Sequence, residues 1–132
     1  MKNLTQIART RQEVLKQAQG EAINLYNHER FGQHLSPAHV SALLEKVDSM
    51  RVIYIAKEKK LDPSIIPLMT SGKLKIKYLP LSELDSKVEI LAFHDKTFFA
   101  DENAETSSTD PLVTGNMWSM LENLWDRAEA II

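Results

Sequence analysis

The chain has 132 residues, 43% hydrophobic and 26% charged, the size and make-up of one ordinary globular domain. It contains no cysteine, which excludes disulfides, thiolate metal sites and cysteine nucleophiles together and suits a reducing cytoplasm. The net charge of −2 conceals a polarised layout. Residues 51–82 hold seven basic and two acidic side chains, whereas residues 83–132 hold eleven acidic and three basic. A basic middle attracts anions, but the acidic remainder opposes general nucleic-acid binding.

In chain order, residues 4–27 predict a helix. They contain no proline and, except for Gly20, no glycine. Leu4, Ala8, Arg11, Leu15, Ala18, Ala22 and Leu25 fall at alternating spacings of four and three, a heptad seam. Two readings stand: a helix lying on its own domain, or a helix pairing with its copy. The second makes Leu4, Ala8, Leu15, Ala18, Ala22 and Leu25 a dimer interface. The stretch 27–35 shows no clear period and includes Gly32, so it reads as a connector. Ser36 and Pro37 then open a helix whose apolar face is Val40, Leu43, Leu44 and Val47.

Arg51–Ala56 is the clearest strand, β-branched and aromatic. Asp62 and Pro63 predict a second capped helix running to Gly72. Lys73–Leu79 alternates lysine with apolar residues, a strand with one wet face. Together, residues 51–79 form a strand–helix–strand unit with parallel strands. Val88–Phe93 and Thr97–Ala100 form a hairpin around His94, Asp95 and Lys96, and residues 101–110 are polar enough for a mobile loop. Residues 111–114 suggest a short strand, and Asn116 a cap for the last helix, whose face is Trp118, Leu121, Leu124, Trp125, Ala128 and Ile132.

The expected fold is therefore α/β. It has a mainly parallel sheet extended by an antiparallel hairpin, flanking helices and an N-terminal dimerisation helix. Residues 1–132 form one domain, with the helix within 1–27 and the α/β core over 36–132. No apolar run approaches the ~20 residues of a membrane span, so a soluble cytoplasmic protein is expected.

Three groups of residues invite chemistry. His94, Lys96 and Asp101 match H-x-K-x-x-x-x-D, the motif of phospholipase D-like hydrolases, in which histidine attacks a phosphodiester and lysine holds its oxygens. The register argues against activity. Sliding the hairpin into that family's frame puts Asp95 at the turn, and Val88 and Ile90 then stand where histidine and lysine belong. Lys57, Lys59 and Lys60 follow the end of one predicted parallel strand and Pro80 ends the next. Ligands of open parallel sheets bind off such ends, aided here by the helix start at Asp62, so these four residues form the candidate ligand site. His28, His34 and His39 lack metal-ligand spacing and read as surface histidines, so no metal and no cofactor is expected.

The order of elements, from strand 51–56 through the basic strand and hairpin to the aromatic C-terminal helix, resembles the degenerate phospholipase D-like effector domain of TrmB-type transcriptional regulators. There the domain follows a dimerising helix, which residues 4–27 resemble. The resemblance implies a homodimeric, non-catalytic sensor of a small anionic or sugar ligand, touching DNA only through a separate domain. A dimeric phosphodiesterase using His94 and Lys96 is one alternative. An adaptor that binds another protein through the N-terminal helix is the other.

Overall fold

A computed structural model describes residues 8–31 and 36–131, with side chains from residue 12 onward. The described residues form a seven-stranded sheet between two helical layers. Helix α1 (Ala8–Gln17) ends before Gly20, whose φ of 62° lies in the left-handed region that an L side chain enters only at a cost. The chain then turns into strand β1 (Glu21–Asn27), not further helix. This overturns the expectation of a continuous helix over 4–27. Ala22 and Tyr26 face one apolar layer and Ile23 and Leu25 the other, so β1 is buried on both sides. A strand in that position shows no polar face for a periodicity to reveal.

Helix α2 (His28–Phe31) is one turn long and begins directly off β1. Helix α3 (Pro37–Lys46) opens at Ser36–Pro37 as expected, and buries Val40 and Leu43. Strand β2 (Ser49–Ala56) pairs parallel with β1. The predicted helix after Asp62 is only a turn and the four-residue 3-10 helix Ile66–Met69. Pro63 and Pro67 each lack an N–H, and so few residues cannot nucleate an α-helix. Gly72, at φ 80°, turns the chain into strand β3 (Leu74–Pro80), which pairs parallel with β2.

Strands β4 (Glu89–Ala92) and β5 (Thr97–Ala100) make the expected hairpin. The supposed loop that follows contains strand β6 (Glu105–Ser108), paired with β5. Helix α4 (Pro111–Arg127) starts earlier than Asn116. Its cap is Asp110, whose carboxylate accepts from Leu112 N at 2.9 Å, so residues 111–114 are helical. Strand β7 (Glu129–Ala130) closes the far edge against β3.

The strand order is β6-β5-β4-β1-β2-β3-β7. Only β1–β2 and β2–β3 are parallel, and the other four pairings are antiparallel, so the sheet is mostly antiparallel rather than mainly parallel. The core has two halves. Val14 of α1 and Val40, Leu43 and Val47 around α3 cover Val52, Tyr54, Leu74, Ile76, Leu91 and Phe98. On the opposite face, Leu121, Trp118, Leu124 and Trp125 of α4 cover Ile53, Ile55, Leu79, Ile90 and Ala92. Each such fully buried aliphatic side chain contributes ~1.5–3 kcal/mol. No helix among the described residues is long and apolar enough to cross a membrane.

Candidate ligand-binding site

Strands β1, β2 and β3 run side by side in one direction, so Asn27, Ala56 and Pro80 bring their carboxyl ends to one edge. Asn27 is fully buried and organises that edge. Its Oδ1 accepts from Glu29 N at 3.1 Å, and its Nδ2 donates to Asp85 Oδ1 and to Ser86 O, both at 2.9 Å. Arg30 grips the same Asp85 through Nε and Nη2, each at 2.7 Å, a bidentate pair. The Arg30 hydrogen bond, helped by Asn27, pulls the Asp85 carboxyl down to about 2 against a smaller opposing effect of burial. The segment after β3 is thereby fastened to the start of α2.

The Glu29 carboxylate reaches across to β2 and accepts from Lys57 N at 3.1 Å. The Tyr78 hydroxyl donates to Ala56 O at 3.0 Å, so the end of β2 is held from both neighbouring strands. Tyr54 is 2% exposed; its ring stacks on Tyr26 at 6.0 Å and lies against His28 at 5.3 Å. Burial, reinforced by the Glu29 and Asp62 carboxylates, pushes the Tyr54 phenol up to about 12, so it stays a neutral donor. The result is a cleft of about 230 Å³ lined by His28, Glu29, Tyr54, Ala56, Lys57, Glu58 and Lys60. A second cleft of about 390 Å³ lies across Lys57, lined also by Pro80, Leu81, Ser82 and Asp85.

Of the residues expected at a ligand site, Lys57 and Lys60 meet in the first cleft and Pro80 lines the second. Lys59 turns away toward Glu129 at 3.8 Å. The helix end expected to add its dipole at Asp62 is absent, since a four-residue 3-10 helix follows three residues of turn. Sequence reasoning missed His28, Glu29, Tyr54 and Asp85. A signal was present in Glu21–Asn27: read as a strand, it would have put His28 and Glu29 at a carboxyl end too.

The H-x-K-x-x-x-x-D residues do not assemble. His94 and Lys96 sit in the β4–β5 turn, where Phe93 N donates to Lys96 O at 2.8 Å. His94 stacks on Trp118 at 4.0 Å, and Lys96 lies 3.8 Å from Glu13. Asp101 is at the opposite end of β5, five residues or roughly 16 Å of extended chain away. Its carboxylate accepts from Asn103 N at 2.8 Å and Ala104 N at 2.7 Å. Asp95 occupies the turn, as the shifted register required.

The dimer seam dissolves. Ala22 and Leu25 are each 2% exposed inside β1, and Leu15 and Ala18 pack on the chain's own core. Leu4 lies outside the described residues, and Ala8 begins α1 with its side chain undescribed. His39 is buried at 4% exposure rather than on the surface, and His34 lies outside the described residues. No group of histidines and carboxylates among the described residues could hold a metal ion.

Neither a family model nor a curated protein sequence matches this chain. A solved structure does. TrmBL2, an archaeal chromatin protein whose structure shows a novel mode of DNA binding, superposes with a TM-score of 0.69 at 17% sequence identity. The match covers 98% of this chain and 52% of TrmBL2. The two share a fold. This chain spans about half the length of TrmBL2.

Proposed function

We propose that this chain is a non-catalytic, ligand-sensing domain of a transcription regulator, acting in the cytoplasm and touching DNA through a separate domain. The observation that carries the reading is the cleft of His28, Glu29, Tyr54, Lys57 and Lys60 at the carboxyl ends of the parallel strands. That is where sheets of this kind bind small molecules. The fold shared with TrmBL2, an archaeal chromatin protein, supports a DNA-associated role. Descent from a phospholipase D-like domain is supported by the hairpin register, with Asp95 at the turn, Ile90 on β4 and Val88 just before it, which leaves no nucleophile there. The reading does not need the seam of residues 4–27, in which Ala22 and Leu25 are buried in β1 and Leu15 and Ala18 pack on the core.

Two measurements test it. Thermal stability followed against sugars, sugar phosphates, phosphate and free amino acids should rise with one class. A ligand at 100 times its Kd adds about 2.7 kcal/mol. The rise should shrink in Lys57→Ala/Lys60→Ala. If no class stabilises the protein, the sensing reading falls. With bis(para-nitrophenyl) phosphate and single-stranded DNA the expected outcome is no turnover, whereas turnover that vanishes in His94→Ala would establish a phosphodiesterase.

A further inference from the structure

Several charged side chains of the molecule form ion pairs. Arg30 pairs with Asp85, Arg51 with Glu122 and Lys59 with Glu129. Lys57, Lys60, Glu29 and Glu58 line one cleft of about 230 Å³, yet no ion pair joins any of them to another among the described residues. All four side chains are exposed, so pairing among them would gain little. Lys57 N, not its ammonium, engages Glu29 Oε2 at 3.1 Å. That contact engages one oxygen of the Glu29 carboxylate and, among the described residues, neither lysine ammonium forms an ion pair. The floor between the charges is aromatic, made of the Tyr54 and His28 rings 5.3 Å apart.

We propose that this cleft binds a zwitterion of the size of a free α-amino acid, its carboxylate on Lys57 and Lys60 and its ammonium toward Glu29 and Glu58. The inference rests on the sensing reading above and names its ligand class. A simple anion would gain from the two lysines and be opposed by the two carboxylates. A neutral sugar would use neither set of charges. A zwitterion satisfies both at once, and each end meets the sign it needs. The Tyr54 phenol lies in the field of the Glu29 and Asp62 carboxylates, and the same field attracts an ammonium over the ring. Size agrees. The cleft of about 230 Å³ is open to solvent on one side. It admits an α-amino acid with its side chain lying against the two rings.

The test is calorimetric titration of the full 132-residue chain with each common L-amino acid. Beside each run its amide (no carboxylate), its deaminated acid (no ammonium), inorganic phosphate and glucose. At least one amino acid should bind, and its amide and its deaminated acid should each bind about tenfold more weakly, because each loses charge-assisted hydrogen bonds at one end. Lys60→Ala should weaken the parent amino acid while leaving the amide's affinity unchanged. Glu58→Gln should do the same with respect to the deaminated acid. Both residues are exposed, so neither change threatens the fold, and unchanged circular dichroism confirms that. Binding of phosphate or glucose with no amino-acid binding would overturn the zwitterion and leave the sensing reading standing. Binding of nothing would overturn both. An amino acid whose amide and deaminated acid bind equally well would also refute the proposal.

Discussion

Asn27 ties the end of β1 to two other parts of the cleft wall, and replacing it tests the architecture of the site. Asn27→Ala removes three hydrogen bonds, to Glu29 N at 3.1 Å and to Asp85 Oδ1 and Ser86 O at 2.9 Å. Each is worth a net of ~1 kcal/mol, and the residue is fully buried, so water cannot readily take its place; the loss should be about 3 kcal/mol. For a domain of this size that lowers Tm by about 10 °C. Urea denaturation with an unchanged m value would assign the loss to the native state. Asn27→Asp sharpens the argument. It keeps the acceptor for Glu29 N but loses both donors and sets a carboxylate against Asp85. It should therefore be at least as destabilised as the alanine variant at neutral pH, and should recover as the pH falls toward ~4 and the new carboxyl is protonated. Glu29 would also lose its anchor, so ligand affinity should fall with stability. A cost below ~1 kcal/mol for Asn27→Ala would show that Arg30 and the backbone hold this edge alone, and the account of the site would be wrong.

Leu15→Glu should unfold rather than dissociate the protein: Leu15 packs on the α1–α3 core, and burying part of a carboxylate there costs about 2 kcal/mol or more. An unchanged Tm together with a shift in sedimentation to 15.0 kDa would restore the seam as an interface. The Arg30–Asp85 pair sets an acid limit. Because the folded carboxyl is lowered to about 2, its contribution is present above the ordinary carboxylate range and is lost as pH falls through about 2. The difference in urea midpoint between the parent and Asp85→Asn should therefore close between pH ~4 and the folded value of about 2, and should shrink with added salt. A gap that stays constant over that window would mean that Asp85 acts by packing rather than by charge.

What the residues alone determined are the elements with a local signature. Ser36–Pro37 opens α3, the β-branched run makes β2, alternating lysines make β3, and two apolar runs around Asp95 make the β4–β5 hairpin. Proline at the helix start, a wet strand face, or a β-branched and aromatic run bounded by polar residues marks each of them, and such marks are written in neighbouring residues. The displaced H-x-K-x-x-x-x-D match was readable for the same reason, since a hairpin turn is local. Residues 21–27 carry no such mark. Their leucine, isoleucine and alanine suit a helix seam as well as a strand, and only β2 on one side and β4 on the other select the strand. Because β1 is buried on both faces, its side chains follow neither the period of a surface helix nor that of a half-wet strand. The sheet's mostly antiparallel character came from β6 and β7, short edge strands with no apolar run to mark them, while the site depended on where β1 lay. Lys57 and Lys60 could be picked out by charge, but the residues that make a cleft around them come from chain ends at 27, 56 and 80, brought together by long-range strand pairing that no local pattern encodes.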